Sequence, residues 1–215
     1  MRKAAILVCT VFTLLSCSED TTYDDFDSSK PYYKFTDSDS PYLLKSVYKR
    51  NTIINFRNQN NEALSFKVIS NEQERMAETM STFWGTSSLV YFYFDCRTIW
   101  LKSITHPEDY RNLKLNIYKG SNNNTFGGFS FYLWNEFGTG AYLNNNRSYN
   151  LSSFTTHMMQ VNGVTYYKVI YIDSDSPYSY NGENYTQNVN KMYYDLEKGV
   201  IGFDDLAGNQ WRLTN

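Results

Sequence analysis

The stretch that decides the fold is FTTHMMQVNGVTYYKVIYI, residues 154–172, which has Asn162-Gly163 at its centre. Both central positions of a type I′ turn need a positive φ, and Asn-Gly is the pair that adopts it most readily. The flanking runs are rich in β-branched and aromatic residues, as strands are. The sequence therefore predicts a two-residue β-hairpin. Counting outward from the turn gives the facing pairs Val161 with Val164, Met159 with Tyr166, and His157 with Lys168.

The β pattern continues on the amino-terminal side of this hairpin. Apolar residues recur at every second position over 64–68, 113–117 and 129–133, and short Asn- or Gly-rich clusters divide the runs. A period of two is typical of a strand with one buried face, and short strands divided by such turns are typical of all-β domains. We therefore predict a mainly β domain, either an antiparallel sandwich or a barrel-like fold, with one short helix.

The predicted helix covers residues 71–82, where the period of two breaks. Ser70 and Gln73 are spaced as a capping box, which marks the start of a helix. Apolar residues then follow at helical spacing: Met76, Ala77, Met80, Phe83 and Trp84. On this interpretation the methionines fill the core.

The chain closes with KMYYDLEKGVIGFDDLAGNQWRL, residues 191–213. Gly199 and Gly208 each stand where one strand turns into the next, which predicts a three-stranded meander. This block resembles one that ends many Bacteroidota lipoproteins of unknown function: a tyrosine-rich strand, a Lys-Gly turn, an apolar strand and a Gly-x-x-Trp strand. The resemblance implies a compartment and a fold, and it implies no activity.

The first residues have the pattern of an export signal. The basic start MRK precedes an apolar run over 4–15, which is too short to span a bilayer because a span needs roughly 20 residues. The run ends in Leu14, Leu15, Ser16 and Cys17, which resemble the lipobox of lipoprotein signal peptidase. That resemblance implies cleavage before Cys17 and acylation of this residue. A thiolate takes up a lipid readily near neutral pH, and two or more acyl chains anchor a protein stably.

Acidic residues follow the lipobox directly. Ser18, Glu19 and Asp20 resemble the export signal of surface-exposed Bacteroidota lipoproteins, which implies a lipid-anchored protein on the outer face of the outer membrane. The alternative is that Cys17 is an ordinary cysteine of the apolar run, as Cys9 is. We predict a signal peptide over 1–16, an acylated flexible tether over 17–30 that is too polar to fold, and a single β-rich domain over 31–215.

Composition excludes some classes of function. The net charge is −2, so we predict no nucleic-acid partner. Cys96 is the one cysteine left after processing and lipidation, so it has no intramolecular disulfide partner. Its apolar neighbours indicate a small core residue. No cofactor is predicted.

The sequence DSDSPY occurs twice, at residues 37–42 and 173–178. Carboxylate oxygens at Asp-x-Asp spacing are suitable calcium ligands. If the two loops met, four residues could share an ion: Asp37, Asp39, Asp173 and Asp175. We favour the simpler interpretation, in which Asp and Ser begin turns that Pro stiffens.

Aromatic side chains suggest a site for carbohydrate. Broad, rigid, amphipathic rings stack on sugar faces, and Trp134, Tyr142 and Tyr149 lie in or beside an Asn-rich loop over 135–150 whose amides suit sugar hydroxyls. The alternative is that these rings are ordinary core and strand-face residues.

No catalytic motif is present: the sequence has no G-x-S-x-G, no H-E-x-x-H and no C-x-x-C. We therefore predict a non-enzymatic surface module that binds a glycan or an envelope protein. One alternative is a hydrolase of an extracellular polymer, which would show two carboxylates about 5–10 Å apart in a pocket. Another is a structural partner in a surface assembly, which would show an apolar patch or an unpaired edge strand.

Overall fold

The structure is a computed structural model that describes residues 26–81, 88–106, 112–132, 149–173, 179–180, 183–184 and 189–214. Over these residues the chain is mainly β with a single short helix, and its antiparallel sheet curls into a half-barrel. The curl brings strands that are far apart in the sheet into contact, as the rings of Phe129 and Tyr194 show with centroids 4.9 Å apart. The predicted fold class is confirmed, and the barrel-like alternative describes the sheet.

The described strands are, in chain order, β1 (Tyr32–Tyr33), β2 (Ile53–Arg57), β3 (Ala63–Ser81), β4 (Ser88–Ser103), β5 (Asn112–Lys119), β6 (Thr125–Tyr132), β7 (Tyr149–Asn150), β8 (His157–Val161), β9 (Val164–Asp173), β10 (Ser179–Tyr180), β11 (Glu183–Asn184), β12 (Val189–Asp195), β13 (Gly199–Asp205) and β14 (Gln210–Thr214). The main sheet has the order β7-β6-β5-β4-β3-β2-β14-β13-β12-β9-β8, and β1 pairs in parallel with β4. β10 and β11 pair with each other.

The inner face of the curl holds the main core. The alternating residues of the predicted strands are fully buried there, at 1 % exposure or less: Leu64, Phe66, Val68, Leu113, Leu115 and Ile117. Since successive side chains of a strand point to opposite faces, their neighbours in sequence point outward and form the convex surface.

The hairpin at Asn162-Gly163 is confirmed. Both residues have positive φ, 47° and 81°, and the two inner pairs of β8 and β9 are those predicted. His157 differs, because it lies opposite Val169 and not Lys168. A β-bulge beyond Met159 adds one residue to β9, and such a bulge shifts the register by one.

The carboxy-terminal meander of β12, β13 and β14 is also as predicted. Gly199 and Gly208 have φ of 80° and 84° at its two turns. Gly199 is further required by packing, because a Cβ at this position would lie 2.3 Å from the hydroxyl of the buried Tyr48. That hydroxyl accepts a hydrogen bond from the Val200 amide at 2.9 Å.

The helix predicted over 71–82 is wrong. Residues up to Ser81 continue β3, which pairs with β4 along its length. Gln73 donates to Asp95 at 3.3 Å and accepts from Arg97 at 3.1 Å, and Met76 is 40 % exposed. Helix propensity is a weak preference that a long pairing partner overrides. The short helix is instead a 3₁₀ helix, Asp37–Leu43, in the first DSDSPY.

The first described residue, Phe26, already contacts the sheet, although it belongs to the predicted tether over 17–30. The Phe26 ring lies 4.9 Å from the Tyr93 ring and 4.4 Å from the Arg75 guanidinium. The Asp27 amide donates to the Tyr93 hydroxyl at 3.0 Å. The Phe26 ring therefore packs beside the middle of β3. The predicted signal peptide and residues 17–25 of the predicted tether lie outside the described residues.

Candidate functional site

A polar cleft of about 540 Å³ opens on the outer face of β14. Trp211 packs into the main core, so the alternating residues of β14 point to the other face and form the floor of the cleft. One wall is the end of β2 with the turn that follows it, and the other is the tip of the β8–β9 hairpin. The lining residues are Arg57, Asn58, Gln59, Asn61, Asn162, Gln210, Arg212 and Thr214.

The hairpin tip is fixed against the sheet by a small second core. Val161, Tyr166 and Val169 of the hairpin pack on Ile201 of β13. Ile201 faces them because a register shift between β12 and β13 leaves it without a partner in the β12 ladder, as in a β-bulge. The Asn162 side-chain amide then donates to the Leu213 carbonyl at 2.7 Å, which closes this wall on β14.

The turn between β2 and β3 forms the opposite wall, and side-chain amides hold its shape. The Asn58 side-chain oxygen accepts from the backbone amides of Asn60 and Glu62 at 3.0 and 2.9 Å. Gln59 accepts from the Gln210 amide at 2.8 Å and donates to the Gly208 carbonyl at 3.1 Å. The turn is thereby attached to the last turn of the meander, so the cleft has two fixed walls.

Two arginines face each other across the cleft floor. Arg212 of β14 pairs in register with Arg57 of β2, and side chains directly opposite on one face lie about 5 Å apart at Cβ. Arg212 makes an ion pair with Asp204 at 2.7 Å. Arg57 donates to the side-chain oxygen of Asn61 at 2.7 Å and to its carbonyl at 3.4 Å. Asn61 has a φ of 65°, a left-handed conformation that presents both oxygens to Arg57.

An aromatic row, made of His157, Tyr171 and Tyr193, continues from Arg212 over the outer face. The Arg212 guanidinium lies 4.6 Å from the Tyr193 ring centroid. The Tyr193 and Tyr171 rings meet edge to face at 5.5 Å, and Tyr171 stacks on His157 at 5.0 Å and 7°. Gly202 lies between Tyr193 and Arg212 in register. A Cβ there would lie 3.1 Å from Arg212 Cδ, so this glycine lets the arginine reach the ring.

The Tyr193 phenol stays neutral over the physiological range. Burial and the hydrogen bond that its hydroxyl donates to Asp204 at 2.6 Å raise the pKa of Tyr193 to about 12. Asp204 thus accepts from both Tyr193 and Arg212, and the three groups fix the end of the aromatic row nearest the cleft.

A second hollow, of about 400 Å³, lies at the far end of the aromatic row. His157 and Tyr171 line it with Ser153, Phe154 and Thr155, and Tyr171 is 50 % exposed. The aromatic row therefore connects two hollows on one outer face, with ring surfaces at one end and hydrogen-bonding groups at the other.

Of the aromatic residues predicted to bind a ligand, Tyr149 is described, and Trp134 and Tyr142 lie outside the described residues. Tyr149 is half-buried, and its ring packs 6.0 Å from Phe129 and 5.7 Å from Phe154. It is therefore part of neither the cleft nor the aromatic row, although its neighbour Phe154 lines the second hollow.

The four acidic residues considered as calcium ligands, an alternative to the favoured turn interpretation, have different surroundings. Asp37 is exposed on the 3₁₀ helix, Asp173 is exposed at the end of β9, and Asp175 lies outside the described residues. Asp39 is buried, and Lys119 donates to both its oxygens at 2.8 and 2.9 Å. Within the described ranges, no group of three or more His, Cys, Asp or Glu side chains is placed to hold a metal ion.

Further hydrogen bonds complete the site of Asp39. The Thr125 hydroxyl and the Thr36 amide, the latter at 2.7 Å, also donate to its carboxylate. Burial alone would raise the pKa of Asp39, but the hydrogen bonds from Lys119, Thr125 and Thr36 outweigh burial and lower it. A carboxylate with so many donors is held in its charged form.

The residues of the predicted lipidation site, Leu14 to Cys17, and of the export signal, Ser18 to Asp20, lie outside the described residues. In the part of the chain that the structure describes, no helix is long and apolar enough to cross a membrane. Cys96 is buried, and that burial raises the pKa of its thiol. Its position agrees with the predicted core role.

The sequence alone does not predict the cleft or the aromatic row, because both depend on pairings between strands that are distant in the chain. Tyr171 and Tyr193 face each other through the pairing of β9 with β12, and Arg57 meets Arg212 only because β2 pairs with β14. The alternation of Gln210, Arg212 and Thr214 was the one local signal, since it marks a polar outer face.

Comparisons of the chain with protein-family models, with curated proteins and with solved structures found no match. The geometry of the cleft and the aromatic row is therefore the basis of the functional proposal.

Proposed function

We propose that this protein is a lipid-anchored lipoprotein of the outer membrane surface that binds a glycan without transforming it. The observation that carries the proposal is the continuity of the aromatic row with the polar cleft on one outer face. Rings such as Tyr171 stack on the apolar faces of sugars. Side-chain amides and guanidinium groups donate to hydroxyl oxygens, and amide oxygens accept from hydroxyls. A sugar chain offers both kinds of surface along its length.

The position of the proposed anchor suits this role. The first described residue, Phe26, packs on Arg75, whereas the cleft lies beside Ala63, the residue opposite Arg57. Both Ala63 and Arg75 belong to β3, and a strand rises about 3.3 Å per residue, so the path between them along the strand is roughly 40 Å. A tether from Cys17 would then hold the cleft away from the membrane.

Binding is tested with the full-length protein in detergent on a broad glycan array. We expect at least one polysaccharide to bind, and Tyr171→Ala to weaken that binding roughly 5- to 10-fold, as the loss of one ring contact does. The matched control is Tyr167→Ala, because Tyr167 lies on the same strand, is 71 % exposed and is outside the aromatic row. Silence across the array, or equal loss in both variants, would contradict the proposal.

The anchor is tested separately by Cys17→Ala. This variant removes the proposed lipid acceptor, so we expect uncleaved precursor and loss of partitioning into detergent. Replacing Glu19 and Asp20 with Ala should lower protease accessibility on intact cells. A Cys17→Ala protein that matured and partitioned normally would contradict the lipoprotein assignment but would leave the glycan proposal standing.

A further inference from the structure

We infer that the ligand of the cleft is an acidic polysaccharide, and that Arg57 recognises its carboxylate or sulfate groups. The inference rests on the proposed function and adds the chemical class of the ligand. It starts from the register of β2 and β14, which places Arg57 directly opposite Arg212. Like charges directly opposite each other on a sheet are destabilising, so the two arginines need negative partners, and the described structure supplies one to Arg212 alone.

The two arginines differ in how their charge is compensated. Arg212 is neutralised by Asp204 at 2.7 Å and is held over the Tyr193 ring. The hydrogen bonds of Arg57 within the described chain go to the two oxygens of Asn61, which carry no net charge. Arg57 is thus oriented by a neutral partner and keeps its full positive charge.

Arg57 also keeps donors for a ligand. Both bonds to Asn61 use the same terminal nitrogen, Nη1, and a guanidinium has five N–H groups in a planar fork. That fork matches the two oxygens of a carboxylate or a sulfate, with two parallel hydrogen bonds. The residue is exposed, so a polymer in the cleft can reach it.

Two acidic residues, Glu62 and Asp204, lie near the cleft but do not line it. None of the residues that line the cleft in the described structure is acidic. The neighbouring Asp204 accepts from Tyr193 and Arg212, and Glu62 accepts from the Asn58 amide at 2.6 Å. The charged side chains that line the cleft in the described structure are therefore both arginines, although the whole chain carries a net charge of −2. At physiological salt, charge effects extend only about 8 Å, so the local groups decide which ligand is preferred.

The test uses the full-length protein in detergent and polymers that share one backbone: neutral dextran, carboxymethyl-dextran and dextran sulfate, with polyglutamate as an acidic polymer of another class. We expect the acidic dextrans to bind at least roughly tenfold more tightly than neutral dextran, as hydrogen bonds to charged groups imply. High salt should weaken the binding of the acidic dextrans and leave the binding of neutral dextran unchanged.

Variants assign the effect to Arg57. Arg57→Gln should weaken binding of the acidic dextrans roughly tenfold. Arg57→Lys keeps the charge but loses the planar fork, so its affinity should lie between those of the wild type and Arg57→Gln. The matched control is Arg50→Gln, because Arg50 is an exposed arginine beyond the other end of β2 and does not line the cleft. It removes the same charge from the protein. Unchanged circular dichroism and unfolding midpoint confirm that each variant is folded.

Three results would overturn the inference. Arg57→Gln and Arg50→Gln could bind the acidic dextrans with equal affinity, the wild type could bind neutral and acidic dextrans equally, or it could bind polyglutamate and no dextran. If neutral glycans bind through Tyr171 and acidic groups do not increase the affinity, the proposed function stands and the inference of an acidic ligand is wrong. If no glycan of either kind binds on the array or as a dextran, both fall together.

Discussion

Asp39 and Arg57 both carry a full charge, but their surroundings differ. Asp39 is 3 % exposed and Lys119 is 4 % exposed, and the protein supplies every charged and polar partner that the carboxylate needs. Arg57 lies at the surface, faces another arginine and contacts a neutral residue. The fold thus satisfies the charge of Asp39 internally, whereas the charge of Arg57 is available to a ligand.

The strongest test of this comparison is Lys119→Met, which removes the cation and keeps much of the side-chain volume. The Asp39 carboxylate would remain buried without its cation, so we expect the free energy of unfolding to fall by about 3–5 kcal/mol. Arg57→Met is the counterpart, and it should cost less than about 1 kcal/mol because the side chain is exposed. Urea unfolding of both variants measures the difference in the free energy of unfolding. Equal losses would show that the buried pair of Asp39 and Lys119 matters no more to stability than the exposed Arg57.

The dependence of stability on pH tests the contribution of the Asp39 charge. The folded-state pKa of Asp39 is lowered. Its charge therefore stabilises the folded state fully above the ordinary pKa of about 4, and this contribution is lost as the pH falls through the folded-state pKa. Asp39→Asn should therefore cost roughly 2–3 kcal/mol at neutral pH.

The difference between wild type and Asp39→Asn should shrink below about pH 4, which urea unfolding at a series of pH values measures. A difference that stayed constant down to strongly acidic pH would show that the charge of Asp39 contributes nothing.

The smallest expected effect concerns the site itself. In Gly202→Ala the new Cβ would lie 2.7 Å from the Trp211 carbonyl and 3.1 Å from Arg212 Cδ. We expect a loss of about 1–2 kcal/mol in the free energy of unfolding and weaker glycan binding, because Arg212 must leave the Tyr193 ring. The control is Gly128→Ala, where the nearest atoms lie 3.9 and 4.0 Å away. If the two variants bind glycan equally, Arg212 does not need its position over the ring.

The sequence predicted one hairpin to the level of facing residues and failed on another. Asn162-Gly163 adopts its turn for local reasons, so its neighbours determine it. Residues 71–81 have helical spacing and strong helix formers, yet they pair with β4, since tertiary pairing overrides propensity. The bulge that moves His157 by one residue has no sequence signature of its own either.

The site was harder to predict than the fold because its partners are remote in the chain. Asp39 was considered as a calcium ligand from its Asp-x-Asp spacing, whereas its cation is Lys119, which no local pattern connects to it. In the same way, nothing near Arg57 predicts Arg212 as the facing residue. Alternation indicates which residues point outward, and strand order decides which of them meet.

The parallel pairing of β1 with β4 has a mechanical consequence under the proposed anchoring at Cys17. Under the proposed anchoring at Cys17, a pull transmitted to Phe26 would run along β1. It would load the hydrogen bonds of β1 to β4 and those that Tyr32 and Phe35 donate to Asp95 at 2.6 and 2.9 Å. Force passing them would next reach the Asp39–Lys119 pair. The cleft between β2 and β14 lies off this path, so in the proposed anchored state a pull would load the attachment before it reached the binding face.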